Sequence, residues 1–537
     1  MRRPTRDQFA RIASKHARDG ATLVVPIVER LLSDQLTPVL AYRRLVSADE
    51  RTAPSFLLES VEGGTRQGRY SMLGAQPAME VIAHGHDVEV IDHRSGTGPL
   101  AKLSHEDDPL DLLRTITARH HLAPLDQVPG LGALPLIGGW VGYAAYDTVR
   151  YAEPVKLNPS SAPDDDRNLP DLHFGLYDNV VVFDHVDKLV SVIQLAFIPP
   201  DSELTTGEIY DIAARNLDAR IEQVERHSRP LPSGRLGEPT DPEPMPSNIT
   251  RSQHREMVDK ALEYIRAGDI FQVVLGQRFE RTSAIDPFDV YRALRAVNPS
   301  PYMVYMQAPG CILVASSPEI LCRVSKHPDD GSRYIVTNRP LAGTRKRGMT
   351  KDEDQRLETD LLADQKERAE HAMLVDLGRN DVGRVAEPGT ITLDSLMEVE
   401  RYSHVMHISS TVRGVLRQDK DCWDALRAAL PVGTISGAPK IRAMQIIDEL
   451  EPVRRGPYGG GMGYVGLDGQ MDIALTLRTI VAPTALWDHK RWVYHIQAAG
   501  GIVADSDHDA EFMETVNKAA ALARAIDAAE AAFGETP

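Results

Sequence analysis

The 537-residue sequence predicts an α+β fold built on antiparallel sheets, and three observations carry that prediction. Strand-like runs follow one another in hairpin succession, helical patterns stand apart from them, and no βαβαβ rhythm appears. A doubly wound parallel sheet is therefore disfavoured. At about 150 residues per domain the chain has room for three or four units. Hydrophobic residues make up 42% and charged residues 26%, the balance of a soluble globular protein. A net charge of −17 repels phosphate backbones and anionic headgroups. There is no apolar run of about 18 residues, and no apolar segment follows the basic N-terminus. The expectation is a cytoplasmic protein with neither a nucleic-acid nor a membrane partner. Cys311, Cys322 and Cys422 are too few and too scattered for a disulfide framework or a structural zinc site.

Taken in order, the N-terminal part carries β-type runs at 54–62, 78–92 and 179–195, the last with a hairpin turn at Asp187-Lys188. Helical patterns fall at 109–121 and 208–227. Six prolines between Pro230 and Pro246 then mark a linker, because proline fixes φ and cannot donate to a ladder. The chain is divided accordingly into 1–228, the linker 229–249, and 250–537. The C-terminal part opens with a helix capped by Thr250, striped by Met257, Val258, Ala261, Leu262 and Ile265, and stopped by Gly268. A strand is expected at 270–280. Further strands are expected in CILVASSPEILCRV, TITL, YSHVMHISSTVRGVL and RWVYHIQAAGGIV, and helices at 351–363, 365–378, 423–430, 439–450 and 509–527. GGWVGYAAYD (138–147) weakly echoes GGMGYVGLDG (460–469).

Two motifs mislead. GMGYVG (461–466) matches the dinucleotide fingerprint, but the hairpin signal Asp468-Gly469 and the alternating MDIALTLRTIV follow it where a helix would have to start. KERAEH (366–371) lacks the first histidine of a zinc-protease helix. No cysteine lies in a nucleophile elbow, so no glutaminase nucleophile is expected.

Other constellations can carry chemistry. Glu367 with Glu370, and Glu511 with Glu514, are acidic pairs at i,i+3, each on one helical face. Two such helices facing one cavity would suit Mg²⁺, although the spacing alone is more often that of a solvated face. Asp364 and Glu367 have the spacing of a capping box, and DLGRNDVGRV (376–385) reads as a helix end and polar loop. His404 and His407 fall on opposite faces of a strand, and a buried histidine is more often a core residue than a base. GTISGAPK (433–440) has Pro439 at a helix start, as anion-binding helix N-termini do, and QAAGGIVADS (497–506) is small enough for a ligand to reach backbone N–H groups.

Together and in this order, these pieces resemble the chorismate-utilising enzymes. The matching segments include YIRAGDIFQVVLGQR, NPSPYM, SSPEIL, RPLAGTRKRG, ERAEHAMLVDLGRNDVGRV, PVGTISGAPKIRAMQIIDELEP and RRGPYGGGMGYVG. FLLES (56–60) and GRYSMLG (68–74) point to the anthranilate-forming branch. The resemblance implies sheets packed as a sandwich with helices outside, and conversion of chorismate and ammonia to anthranilate and pyruvate with Mg²⁺. It places the metal on Glu370 and Glu514, supported by Glu367 and Glu511. Chorismate contacts fall on Gly343, Thr344, Tyr458, Arg478, Ala499, Gly500, Gly501 and Lys518. The catalytic residues are Glu319 as general acid, His407 as base, and Thr434 near the ring. An L-tryptophan effector would meet Glu59, Ser60, Pro301, Tyr302 and Met303. A glutamine amidotransferase subunit is the implied partner, in a heterotetramer. In isochorismate-forming relatives a lysine stands at the position of Gln272, and in aminodeoxychorismate relatives a lysine replaces Ala342. A ligand-sensing module without catalysis would have degraded the glutamate pairs, which are intact. QAAGG departs from the family's usual QAGAG.

Overall fold

The structure, a computed structural model, describes residues 3–534 except 19, 48–49, 63–65, 95–107, 132–133, 227–229, 238–243 and 403–404. His404 and part of the linker thus lie outside the described residues. The predicted hairpins and caps form for the expected reasons. Thr250 and Gln253 make a reciprocal capping box at the start of Arg251–Ala267, and Gly268 ends that helix at φ +83°. Lys188 turns the hairpin between Asn179–Asp184 and Leu189–Ile198 at φ +57°. The 78–92 run is likewise a hairpin, Met79–His84 with Asp87–Asp92.

Among the described residues the strands assemble into one sheet of twelve and one of eleven. Apart from the short edge strand His120–Leu122, their pairing is antiparallel. The expected α+β sandwich is present. Thr22–Leu32 shows how alternation builds it: Val24 and Val28 join the core between the sheets, while Leu23, Val25 and Ile27 join the core under the outer helices. That second core also takes side chains from Arg6–His16, Pro38–Leu45, Thr206–Glu225, Pro287–Val297 and His508–Phe533.

The N-terminal and C-terminal parts meet edge to edge within both sheets. In the first, Tyr302–Ala308 pairs with Ser55–Glu62, placing Met303 opposite Glu59. In the second, Gly461–Gly466 pairs with Gly139–Ala144, placing Gly463 opposite Gly142. The two echoing segments of the sequence are therefore neighbouring strands. Neither sheet stops at the seam, and the core between the sheets draws on both parts. Where it is described, the linker lies on the surface: the Pro232 carbonyl accepts from Arg292 Nη2 at 2.7 Å, and the Pro246 carbonyl from the Glu280 N–H at 3.0 Å.

Three expectations change. MDIALTLRTIV is not one strand but two, Met471–Leu475 and Thr479–Pro483, in different sheets. The break falls at Arg478, held at φ +45°. The helix expected over 365–378 runs on to Gly383, taking in most of the supposed polar loop, because Asp381 is buried against Lys440 at 2.7 Å. Asp364 caps it by accepting from the Lys366 and Glu367 N–H groups, but Glu367 turns to Arg345 instead of closing a capping box.

Candidate active site

The residues predicted for catalysis, substrate and metal sit on a few elements of the C-terminal part. Glu319 lies in the turn between Cys311–Ser317 and Ile320–Lys326 and is 4% exposed. Burial pushes its carboxyl up to about 8, although the Thr434 hydroxyl donates to it at 3.3 Å and the Leu341 N–H also bonds to it. A carboxyl in that state keeps its proton at neutral pH and has one to give.

His407, on Val405–Val415, is 7% exposed. Its Nδ1 lies 2.9 Å from the Gly343 carbonyl and 3.1 Å from Thr344 Oγ1. A carbonyl only accepts, so Nδ1 carries the hydrogen and Nε2 keeps its lone pair. Burial and the positive Arg478 push the imidazolium down to about 4, leaving a neutral base. Gly343 occupies a bulge at φ +67°, where a Cβ would press on Leu361, Glu367 and Ile408.

The four glutamates occupy two helices. Glu367 and Glu370 lie on Gln365–Gly383, Glu511 and Glu514 on His508–Phe533. Glu370 is raised by burial and then by the charges of Glu367 and Glu514, and it accepts from Gln272 Nε2 at 3.3 Å. Glu511 is raised by burial; its Oε1 accepts from Ser506 at 2.7 Å and its Oε2 is buried without a partner. Glu514 pairs with Lys518 at 2.6 Å. Among the described residues no three carboxylates, imidazoles or thiols gather closely enough to grip an ion as they stand. Mutually repelling carboxylates and an orphaned carboxylate oxygen are nevertheless a donor set that fits a hard divalent cation.

Ala499, Gly500 and Gly501 belong to Trp492–Ile502 and register against Gly276, Leu275 and Val274. Their strand runs close under the acidic helices. A Cβ at Gly500 would stand 3.1 Å from Glu511 Oε2, and one at Gly501 2.7 Å from Gln272 Nε2. Lys518 Nζ donates to the Ala499 carbonyl at 2.8 Å, and the Ala499 N–H bonds the buried Tyr458. The Arg478 guanidinium is lowered by burial, and no described carboxylate pairs with it. A left-handed backbone supporting an unpaired, half-buried cation fits a place kept for an anionic ligand. Of the two branch-marking positions, Gln272 lies inside the site, with its Oε1 buried and unpartnered, and Ala342 sits at the Gly343 bulge opposite Ile408.

The five residues placed at an effector site also come together. Glu59, Ser60, Pro301, Tyr302 and Met303 line a cavity of about 530 Å³ at the seam between the two parts. Glu59 is fixed by Arg295 at 2.6 Å and Tyr291 at 2.7 Å, and Ser60 donates to the Tyr70 carbonyl at 3.4 Å. The cavity wall also contains Pro318 and Ile320, the residues flanking Glu319, and Leu341, whose N–H bonds it.

Several contributors escaped the sequence: the Leu341 N–H, Ser506 behind Glu511, and a buried Arg455–Glu451 pair beside Tyr458. A backbone donor leaves no mark in a sequence, and Glu451 and Arg455, four apart, look like an ordinary surface pair.

Residues 54–524 match the family model for chorismate binding enzymes. The chain is 52% identical to anthranilate synthase alpha subunit 1 of Arabidopsis thaliana, over 96% of this chain and 87% of the relative. It is 46% identical to anthranilate synthase component 1 of Thermus thermophilus, over 94% and 98%. The crystal structure of anthranilate synthase component I from Streptococcus pneumoniae superposes with a TM-score of 0.66 at 34% identity, covering 92% of this chain and 99% of that one. A family model spanning most of the residues and relatives matched over nearly their whole length show the family: the chain belongs to the chorismate-binding enzyme family.

Proposed function

We propose that the protein is an anthranilate synthase component I, converting chorismate and ammonia to anthranilate and pyruvate. The observation that carries this reading is that two buried groups are set for opposite tasks: Glu319, met by the Thr434 hydroxyl, whose burial favours the protonated carboxyl, and His407, whose Nδ1 is engaged by the Gly343 carbonyl and whose burial favours the neutral imidazole. Chorismate is a dianion, and Arg478, Lys518 and the Ala499–Gly501 backbone are the groups suited to its carboxylates. Ammonia adds at ring C2 while the C4 hydroxyl leaves, taking the Glu319 proton. His407 Nε2 then removes the C2 proton, the C3–O bond breaks and the ring becomes aromatic; the enolpyruvate that leaves takes a proton to become pyruvate, and the added nitrogen returns its extra proton to the Glu319 carboxylate. Thr434 holds the Glu319 carboxyl toward the leaving group. Mg²⁺, held by Glu370 and Glu514 with Glu367 and Glu511 behind them, would supply positive charge to a ring carboxylate.

Gln272 offers no amine to activate water, and Ala342 no nucleophile to attack the ring, which disfavours isochorismate and aminodeoxychorismate as products. The three cysteines are buried, and burial pushes Cys311 up to about 12. None is a thiolate able to attack glutamine, so ammonia comes from a glutamine amidotransferase subunit, in a heterotetramer. Free buried thiols suit a reducing, cytoplasmic setting. L-tryptophan occupies the seam cavity and acts as feedback inhibitor; the flanking of Glu319 by cavity-wall residues gives it a route to the chemistry. The test is product analysis: chorismate, ammonium and Mg²⁺ should yield fluorescent anthranilate and pyruvate in equal amounts. Isochorismate or a 4-amino product would overturn the reading.

A further inference from the structure

We infer that the buried Arg455–Glu451 pair is the positioning device of the active site, holding Thr434, Tyr458 and the Ala499–Gly501 backbone in mutual register for the substrate. The inference rests on the reaction proposed above and adds a residue pair that the reaction itself does not use.

Arg455 is 2% exposed and Glu451 4%. Arg455 Nε donates to Glu451 Oε2 at 2.9 Å and Nη2 to Glu451 Oε1 at 2.6 Å. The fork then reaches two backbone carbonyls, Nη1 to Ile435 and Nη2 to Val274, each at 2.7 Å. Glu451 Oε1 also accepts the Gly276 N–H at 2.7 Å. The guanidinium lies over the Tyr146 ring at 4.7 Å and the Tyr458 ring at 6.0 Å.

Every one of these contacts, Tyr146 apart, adjoins a group assigned to the substrate. Ile435 follows Thr434, whose hydroxyl meets Glu319. Val274 and Gly276 register opposite Gly501 and Ala499. Tyr458 is itself a predicted substrate contact. Four of the five guanidinium N–H groups are taken, and the pair is sealed from solvent, so Arg455 has little to offer a ligand directly. What a rigid planar fork does well is fix several acceptors at set angles, which a lysine cannot do. A buried ion pair adds little net stability over apolar residues of the same volume. Its contribution is then geometric, and in a site where the reacting atoms must align, geometry is rate.

The test replaces both partners, so that no charge is left buried alone. Glu451→Met/Arg455→Met also removes the partners of the Ile435 and Val274 carbonyls and the Gly276 N–H, so it should melt below the parent, yet at temperatures where it is folded it should lose roughly 10²-fold in kcat for ammonia-dependent turnover. KM for chorismate should rise by much less. Adding Thr434→Val should cost the double variant far less than it costs the parent, since both act on the same alignment. Arg455→Lys alone should fall between parent and double variant. Near-parental kcat in the folded double variant would overturn the inference, as would losses that multiply with Thr434→Val. If the double variant does not fold, Arg455→Lys enters the same cycle with Thr434→Val: a lowered kcat whose loss overlaps that of Thr434→Val supports the pair, and parental kcat or multiplying losses refute it. A parent chain making a product other than anthranilate would refute the reaction, and the cycle read on that product would still decide the pair.

Discussion

The active site and the seam cavity differ in the state of their charged and polar groups. In the active site, several are unmatched: Arg478 has no described carboxylate, Glu511 Oε2 and Gln272 Oε1 have no partner, and Glu370 is raised partly by its like-charged neighbours. In the seam cavity, the charges are already coupled. Glu59 is held by Arg295 and Tyr291, Arg323 bonds Asp472 at 2.8 Å, and Arg339 pairs with Glu400. The first region carries unmatched groups of the kind that the proposed dianion and metal would satisfy. The second already has its carboxylates paired with cations, with only the Arg339 Nε buried and unpartnered among these lining groups, so an effector there must fit among existing bonds or rearrange them. The residues assigned to the active site all come from the C-terminal part, whereas the cavity draws its lining from both.

Breaking the unmatched region should have the larger consequences. Glu319→Gln keeps the shape and removes the transferable proton, and a general acid contributes roughly 10²–10⁴-fold. Anthranilate formation should fall within that range, most plainly as kcat. The wild-type pH profile sharpens the same point. With Glu319 near 8, its acid form is present below that value and lost as pH rises through it; with His407 near 4, its base form is lost as pH falls through 4. Expressed per unprotonated ammonia, kcat/KM should form a bell between those limits, and Glu319→Gln should abolish the alkaline limb. A limb that persists in that variant assigns the proton to another group.

His407→Ala should cost roughly 10²-fold. It should slow elimination more than addition, so that an aminated intermediate accumulates on chromatography. Full-rate anthranilate from this variant would remove His407 from its role. Glu370→Gln should move the Mg²⁺ titration to higher concentration by roughly tenfold, equivalent to about 1.4 kcal/mol. Activity unchanged at limiting Mg²⁺ would reassign the ion. The smallest effect on turnover belongs to the coupled region. Ser60→Phe should leave ammonia-dependent activity near that of the parent while relieving inhibition by L-tryptophan, because the ring fills cavity space. Undiminished inhibition would place the effector elsewhere.

Local interactions were legible in the sequence and distant ones were not. The Thr250 cap, the Gly268 stop and the Asp187-Lys188 turn are each decided within a few residues, and all three form as expected. The order of strands depends on pairings such as Met303 with Glu59, hundreds of positions apart, which no periodicity encodes. Two strands separated by Arg478 look like one because alternation continues through a residue whose backbone has left the β region. The acidic pairs were visible as pairs, but which face of each helix points inward is settled only by packing. The same limit applies to Glu451 and Arg455, whose spacing suits solvent and whose side chains are nonetheless buried.

The seam has a practical consequence for protein engineering. Cutting the chain at the linker to obtain a minimal catalyst free of the proposed L-tryptophan inhibition would expose the edge of Tyr302–Ala308 in one sheet and of Gly461–Gly466 in the other. Two unprotected apolar edges on one fragment are an invitation to aggregate. Insensitivity is better sought by single substitutions within the cavity than by truncation, and a naturally shortened homologue would need another polypeptide to cap both rows of unpaired backbone.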